Sequence, residues 1–155
     1  ELGNFFDKKE KAKELTSNID NALLSVNAIV ENKKILIVIS PKKSLSNQIY
    51  VTGNFLYFED IIKASGNKNA YYSENQAQPV VNTEKIIGMN PDIIILDEPI
   101  NALDDVSVEK VHDILEEQKK RGAVIIIACH DKEELDQLSD EIIEISDGRI
   151  INKTC

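Results

Sequence analysis

Leu15, Ile19, Leu23, Val26 and Val30 recur at steps of three and four, which predicts a long helix over residues 7–29. Lys34–Ile39 is an unbroken apolar run closed by Ser40-Pro41, the pattern of a strand buried on both faces. Residues 42–53 read as polar loop. Asn54 is placed to cap a helix over 55–65, with Phe55, Phe58, Ile61 and Ile62 facing inward and Gly66 as its stop. Asn69–Tyr72 is a short strand. Asn82 caps a helix to Met89, which Pro91 prevents from continuing. Then come a strand over 92–96, a helix to Arg121 capped by Asp105, and a strand over 124–128. A short helix over 132–138 and a strand over 141–145 follow. The turn Ser146-Asp147-Gly148-Arg149 leads into a last strand over 150–152.

Helix and strand alternate, so the expected fold is α/β, a three-layer flavodoxin-like (Rossmann-like) parallel sheet with a C-terminal antiparallel hairpin. Counting the strands at 34–39, 69–72, 92–96, 124–128 and 141–145 as one to five, right-handed crossovers predict the order 2-1-3-4-5. With 155 residues the chain fits one domain over 1–155. No apolar run is long enough to span a bilayer, and no signal peptide is visible. A net charge of −9 argues against nucleic acid as a partner. The expectation is a monomer with no nucleic-acid or membrane partner and no cofactor. Two cysteines, Cys129 and Cys155, do not make a disulfide framework. Cys129 reads as a small buried residue at a strand end.

The charge is unevenly placed. Residues 1–92 hold 11 Lys and 11 Asp/Glu, whereas residues 93–155 hold 7 Lys/Arg and 16 Asp/Glu. Twelve of 14 asparagines precede residue 92. No Gly/Ser/Pro linker separates the two parts, and the break falls inside an apolar strand. Two source sequences fused within one fold would give this pattern.

Ile93-Ile94-Ile95-Leu96-Asp97-Glu98-Pro99 is an apolar strand ending in two carboxylates, and Val124–Ala128 ends in Cys129-His130-Asp131. With Asn101-Ala102-Leu103-Asp104 and the run from Asp140 to Ile150, residues 92–152 resemble the back half of an ABC transporter ATPase subunit. The resemblance implies that Asp97 corresponds to the Walker B aspartate, which holds Mg²⁺ through water. Glu98 corresponds to the catalytic base, Asp104 to the end of the D-loop, and His130 to the switch histidine that contacts the γ-phosphate. Ile100 departs from the small polar residue usual there.

Gly53–Ile62, Ala64–Asn69 and the run from Asn82 to Ile95 resemble the C-terminal lobe of periplasmic binding proteins for siderophores, haem and cobalamin, over about residues 1–92. The helix at 7–29 would then be the end of the helix joining two lobes. Both families share Asn-Pro-Asp followed by an apolar strand, so a joint at Asn90-Pro91-Asp92 would be nearly seamless.

Nucleotide chemistry needs a cradle of backbone N–H groups with a Lys and a Ser/Thr. The chain has no Gly-x-x-x-x-Gly-Lys-Ser/Thr; Ser65-Gly66-Asn67-Lys68 is the nearest approach and closes a helix. Asp97, Glu98, Asp104 and His130 are therefore expected to be vestigial. A metal site at Asp97, Glu98 and His130 fits the residue types, but nothing in the spacing fixes three ligands at one point. Tyr50, Tyr57, Tyr71 and Tyr72 could stack on a ring but read first as packing residues. His112 reads as surface, and Lys8-Lys9-Glu10-Lys11 as a solvated helical face. The expected whole is an engineered chimeric scaffold without native catalytic activity. The alternatives are a degenerate ABC-type nucleotide-binding module and a one-lobed siderophore- or cobalamin-type binder.

Overall fold

A computed structural model describes residues 2–26, 32–39, 49–73, 75–101 and 103–154. The expected end of the first helix at 27–29 and most of the loop over 42–53 lie outside these residues. The chain opens with α1 (Leu2–Phe5) and α2 (Lys9–Val26). Next come β1 (Lys34–Ile39), β2 (Ile49–Tyr50), α3 (Tyr57–Ala64), β3 (Lys68–Asn69), β4 (Val80–Val81) and α4 (Thr83–Met89). The rest is β5 (Ile93–Asp97), α5 (Asp105–Lys120), β6 (Val124–Ala128), α6 (Lys132–Leu138), β7 (Ile142–Ser146) and β8 (Arg149–Thr154).

A four-stranded parallel sheet has the order β3-β1-β5-β6. This is the 2-1-3-4 part of the expected order. β5 is paired along its full length on both sides, Ile35 to Ile93 through Ile39 to Asp97 with β1, and Ile93 to Val124 through Asp97 to Ala128 with β6. The Asp92 carboxylate receives the Lys34 N–H at 2.7 Å, and the Asp92 N–H donates to the Lys34 carbonyl at 2.8 Å. These bonds lie within residues 1–92 and fix the entry to β5; the two compositional halves join from the next residue on, where Ile93–Asp97 pair with β1.

The expected fifth strand does not join this sheet. β7 pairs with β8 alone in an antiparallel hairpin, bulged between Glu144 and Ile145. Asp147 and Gly148 both have positive φ, 50° and 72°, the backbone that a tight two-residue hairpin turn requires. This local pairing closes a very short loop at little entropic cost and forms without β6, while no described strand joins the second edge of β7. β6 is left as a sheet edge. A second small sheet, β2 with β4, was not anticipated; two-residue strands carry too little periodicity to be read.

The core lies between one sheet face and helices α4 and α5. Leu36, Val38, Ile94 and Leu96 meet Ile86 and Leu115 there, all buried. Asn82 caps α4 as expected, accepting from the Lys85 N–H at 3.0 Å. Two caps differ from expectation. Asp104, not Asp105, caps α5. Asn54 does not cap α3, which begins at Tyr57; its side chain instead accepts from the Ser73 N–H at 2.9 Å. Phe55 thus precedes α3 and is exposed; within the helix Ile62 is buried, and Ile61, about 100° round the axis, is exposed. Gly53 is packed so closely on the 76–77 backbone that any side chain there would meet the Gln76 carbonyl.

Ile94 is 2 % exposed and Ile126, on the edge strand, 50 %. Ile94 is therefore a core residue and Ile126 an edge residue. Ile94→Ala is expected to cost about 2–5 kcal/mol. Ile126→Ala is expected to cost about 1 kcal/mol or less. Denaturant midpoints measure both, and equal losses would contradict this placement.

Candidate functional site

β5 and β6 end side by side, and their following loops hold the acidic and histidine residues singled out above. The Glu98 N–H donates to the Ala128 carbonyl at 2.8 Å, which ties the turn after β5 to the end of β6. Glu98 takes a left-handed backbone, φ 48°, uncommon for a residue with a side chain. Buried Pro99 follows it. The turn brings Glu98 Oε1 to 2.6 Å from His130 Nδ1, across 32 residues of sequence. His130 is 81 % exposed and Glu98 31 %, so water reaches the pair. The hydrogen bond to Glu98, and then the carboxylate's charge, raises the His130 pKa above its ordinary value.

Asp97 is exposed at the end of β5 and is not drawn into the pair. Among the described residues no group of three His, Cys, Asp or Glu could hold a metal ion. Asp104 serves the backbone: its carboxylate accepts from the Ser107 N–H at 2.8 Å, and that bond lowers its pKa. Of the four motif residues, then, Glu98 and His130 meet, Asp104 caps a helix, and Asp97 stands apart.

A contact not foreseen lies beside them. Asp131-Lys132-Glu133-Glu134 has the spacing of a capping box, in which Glu134 would reach back to the Asp131 N–H. Asp131 does cap α6, accepting from the N–H groups of Glu133 and Glu134. Glu134 instead accepts from the Cys129 thiol at 3.0 Å, and the Asp131 N–H goes to the Cys129 sulfur at 3.3 Å. Burial and the neighbouring Glu134 raise the thiol's pKa, so Cys129 is a hydrogen-bonding structural residue rather than an activated nucleophile.

The other candidates do not converge. Tyr57 packs on Phe58 with ring centroids 4.1 Å apart, Lys85 lies 4.8 Å over the Tyr71 ring, and Tyr72 is 73 % exposed. Tyr50 lies on β2. His112 is half-buried on α5, not surface as expected, because its neighbour Val111 packs against the core. Lys8–Lys11 are exposed, as the sequence implied. A small apolar cleft of about 50 Å³ lies over Leu36, Ile94, Leu96 and Leu115. Its described lining residues are all apolar and offer no group to orient a ligand. No helix among the described residues is long and apolar enough to cross a membrane.

The sequence profile of the periplasmic binding protein family matches residues 1–147. The chain belongs to this family. Its fold matches a possible iron-binding periplasmic solute-binding protein of Staphylococcus epidermidis, with a TM-score of 0.58 and 24 % identity over 88 % of this chain and 52 % of that one. An ABC transporter substrate-binding protein of Listeria monocytogenes matches with a TM-score of 0.55 and 22 % identity, over 80 % and 50 %. The curated relatives belong to a second family. The chain is 49 % identical over 70 residues to an uncharacterised ABC transporter ATP-binding protein, YybJ, of Bacillus subtilis, over 45 % of this chain and 32 % of that protein. It is 27 % identical over 158 residues to the phosphate import ATP-binding protein PstB of Bacillus cereus, over 97 % and 58 %. The chain therefore spans about a third of the first of these two relatives and a little over half of the second. A binding-protein fold and an ATPase-subunit sequence coincide in one polypeptide.

Protonation of His130 tests the geometry. Its pKa is raised in the folded state, so the contact stabilises the fold fully below the ordinary histidine value of about 6.5 and is lost as pH rises through the higher native value. In an NMR titration His130 is expected to titrate above its value in the unfolded chain, and Glu98→Gln to bring it back down. An unchanged midpoint in Glu98→Gln would show that the two side chains do not meet.

Proposed function

We propose that the chain is an engineered chimera, a binding-protein lobe joined near residue 92 to the back half of an ABC ATPase. In this reading it forms one α/β domain over 1–155 and has no catalytic activity of its own. The observation that carries the reading is β5. One strand takes its entry from Asn90-Pro91-Asp92 and its exit from Asp97-Glu98-Pro99, and it is in full register with β1 before the joint and β6 after it. A joint inside a strand, with no linker, favours recombination by design over the end-to-end fusion of two domains.

The absence of catalysis rests on what stands near the acidic end of the sheet. A triphosphate is held by several backbone N–H groups and a Lys, each charge-assisted bond contributing roughly 1.5–3 kcal/mol. The residues of this chain include no phosphate-loop motif to supply them. Glu98 and His130 are in contact, but no described group of three ligands forms around them. The pair favours a second reading, a degenerate nucleotide-binding module that keeps part of its machinery. The one-lobed binder is supported by the family match over residues 1–147, although the four tyrosines offer it no common site.

Calorimetry separates these readings. Titration with Mg-ATP and with a ferric siderophore is expected to give no saturable heat. A dissociation constant below about 100 μM for Mg-ATP, abolished by Asp97→Ala, would favour the nucleotide-binding module instead.

A further inference from the structure

At the corner between β6 and α6 a buried carboxylate is only half satisfied. Glu134 is 6 % exposed, and its Oε2 accepts from the half-buried Cys129 thiol at 3.0 Å. Its other oxygen, Oε1, is buried with no hydrogen-bond partner among the described residues. A carboxylate taken out of water is ordinarily met by a cation or by several donors. A single thiol is a weak, neutral donor and meets little of that need.

The groups around the thiol are those a cation would use. The Asp131 carboxylate is taken by the N–H groups of Glu133 and Glu134, at 2.9 and 3.2 Å, which pins the corner. The Asp131 carbonyl oxygen lies 3.9 Å from Cys129 Sγ. The Asp131 N–H donates to the same sulfur at 3.3 Å. An N–H bond of this kind steadies a thiolate once it is bound to a metal.

Spacing and charge agree. In a tetrahedral site with metal–sulfur bonds of about 2.3 Å and metal–oxygen bonds of about 2.1 Å, sulfur and oxygen stand about 3.5 Å apart. The two sulfur–oxygen separations here, 3.0 Å to Glu134 and 3.9 Å to Asp131, bracket that value. Glu98 adds its negative charge to that of Glu134 at the thiol.

We propose that Cys129 Sγ, the Glu134 carboxylate and the Asp131 carbonyl bind a thiophilic divalent cation of the Zn²⁺ class, with water as the fourth ligand. The S–H bond breaks, its proton leaves to solvent, and a metal–sulfur bond forms in its place. Thiolate and carboxylate together neutralise the two positive charges. The ligand set shares no residue with Asp97, Glu98 and His130. It does not require a reactive thiol, because the cation itself displaces the proton.

The test is a titration of the full chain with Cd²⁺, an optical stand-in for Zn²⁺, in a non-thiol reductant. Thiolate-to-metal ultraviolet absorption and proton release are the readouts. One ion per chain, one proton released and a dissociation constant below about 100 μM are expected. Zn²⁺ is expected to displace Cd²⁺, whereas Mg²⁺ is not, because a soft sulfur ligand selects against a hard cation. Cys129→Ser is expected to abolish the absorption, and the nearly isosteric Glu134→Gln to weaken binding at least about tenfold. Cys155→Ser and Asp97→Ala are expected to change neither readout. In the unaltered chain, saturating Zn²⁺ is expected to slow alkylation of Cys129 and not of Cys155, a readout that needs no variant to fold. Absorption that survives Cys129→Ser, or that disappears with Cys155→Ser, would overturn the proposal. So would equal affinity in Glu134→Gln, alkylation of Cys129 at an unchanged rate, or no absorption at about 1 mM Cd²⁺.

Discussion

The pairing of β5 with β1 and β6 is the interaction on which the remaining structure depends. Ten Cα partnerships hold this one strand, five on each side. Its inward side chains, Ile94 and Leu96, sit at the centre of the buried cluster, and its last residue sets the height at which Glu98 and His130 meet. Asp92 fixes the lower end through paired hydrogen bonds with Lys34. A strand buried among parallel neighbours tolerates a compositional break such as that at residue 92 because its requirements are generic: apolar, β-branched and about five residues long.

The same generality explains what the fold leaves undone. Full pairing of β5 leaves elements far from it in sequence poorly covered. α2 carries an apolar face with little to pack against, and the β7–β8 hairpin leaves Ile143, Ile145, Ile150 and Ile151 exposed. A two-stranded hairpin alone is marginally stable at best. The acidic second half adds self-repulsion to these loose elements. The sheet and its inner helices are thus the firm part of the molecule, and stability falls towards both termini.

The sheet was legible because its strands are continuous apolar runs flanked by proline, aspartate and glycine. Lys34–Ile39, Val124–Ala128 and the 132–138 helix have the bounds read from the sequence. The order of the first four strands followed from crossover handedness alone. The placement of β7 did not, since periodicity shows that a segment is a strand and not which strand it pairs with. The caps show a similar limit. Asp104 and Asp105 are adjacent carboxylates of equal propensity, and the Ser107 N–H decides between them. At the site, the sequence put Glu98 and His130 at the ends of neighbouring strands without foretelling their contact, and the Cys129 thiol takes the Glu134 carboxylate through sulfur chemistry that spacing does not reveal.

Native-state amide hydrogen exchange under rising denaturant tests the central claim most directly, that one sheet runs unbroken through the joint. The account predicts that the paired amides of β1, β5 and β6 merge into a single slow class and open together, while α2 and the β7–β8 hairpin exchange earlier. Separate openings for β1 and for β5 with β6 would contradict it, because residues 1–92 and 93–155 would then be two units that merely touch.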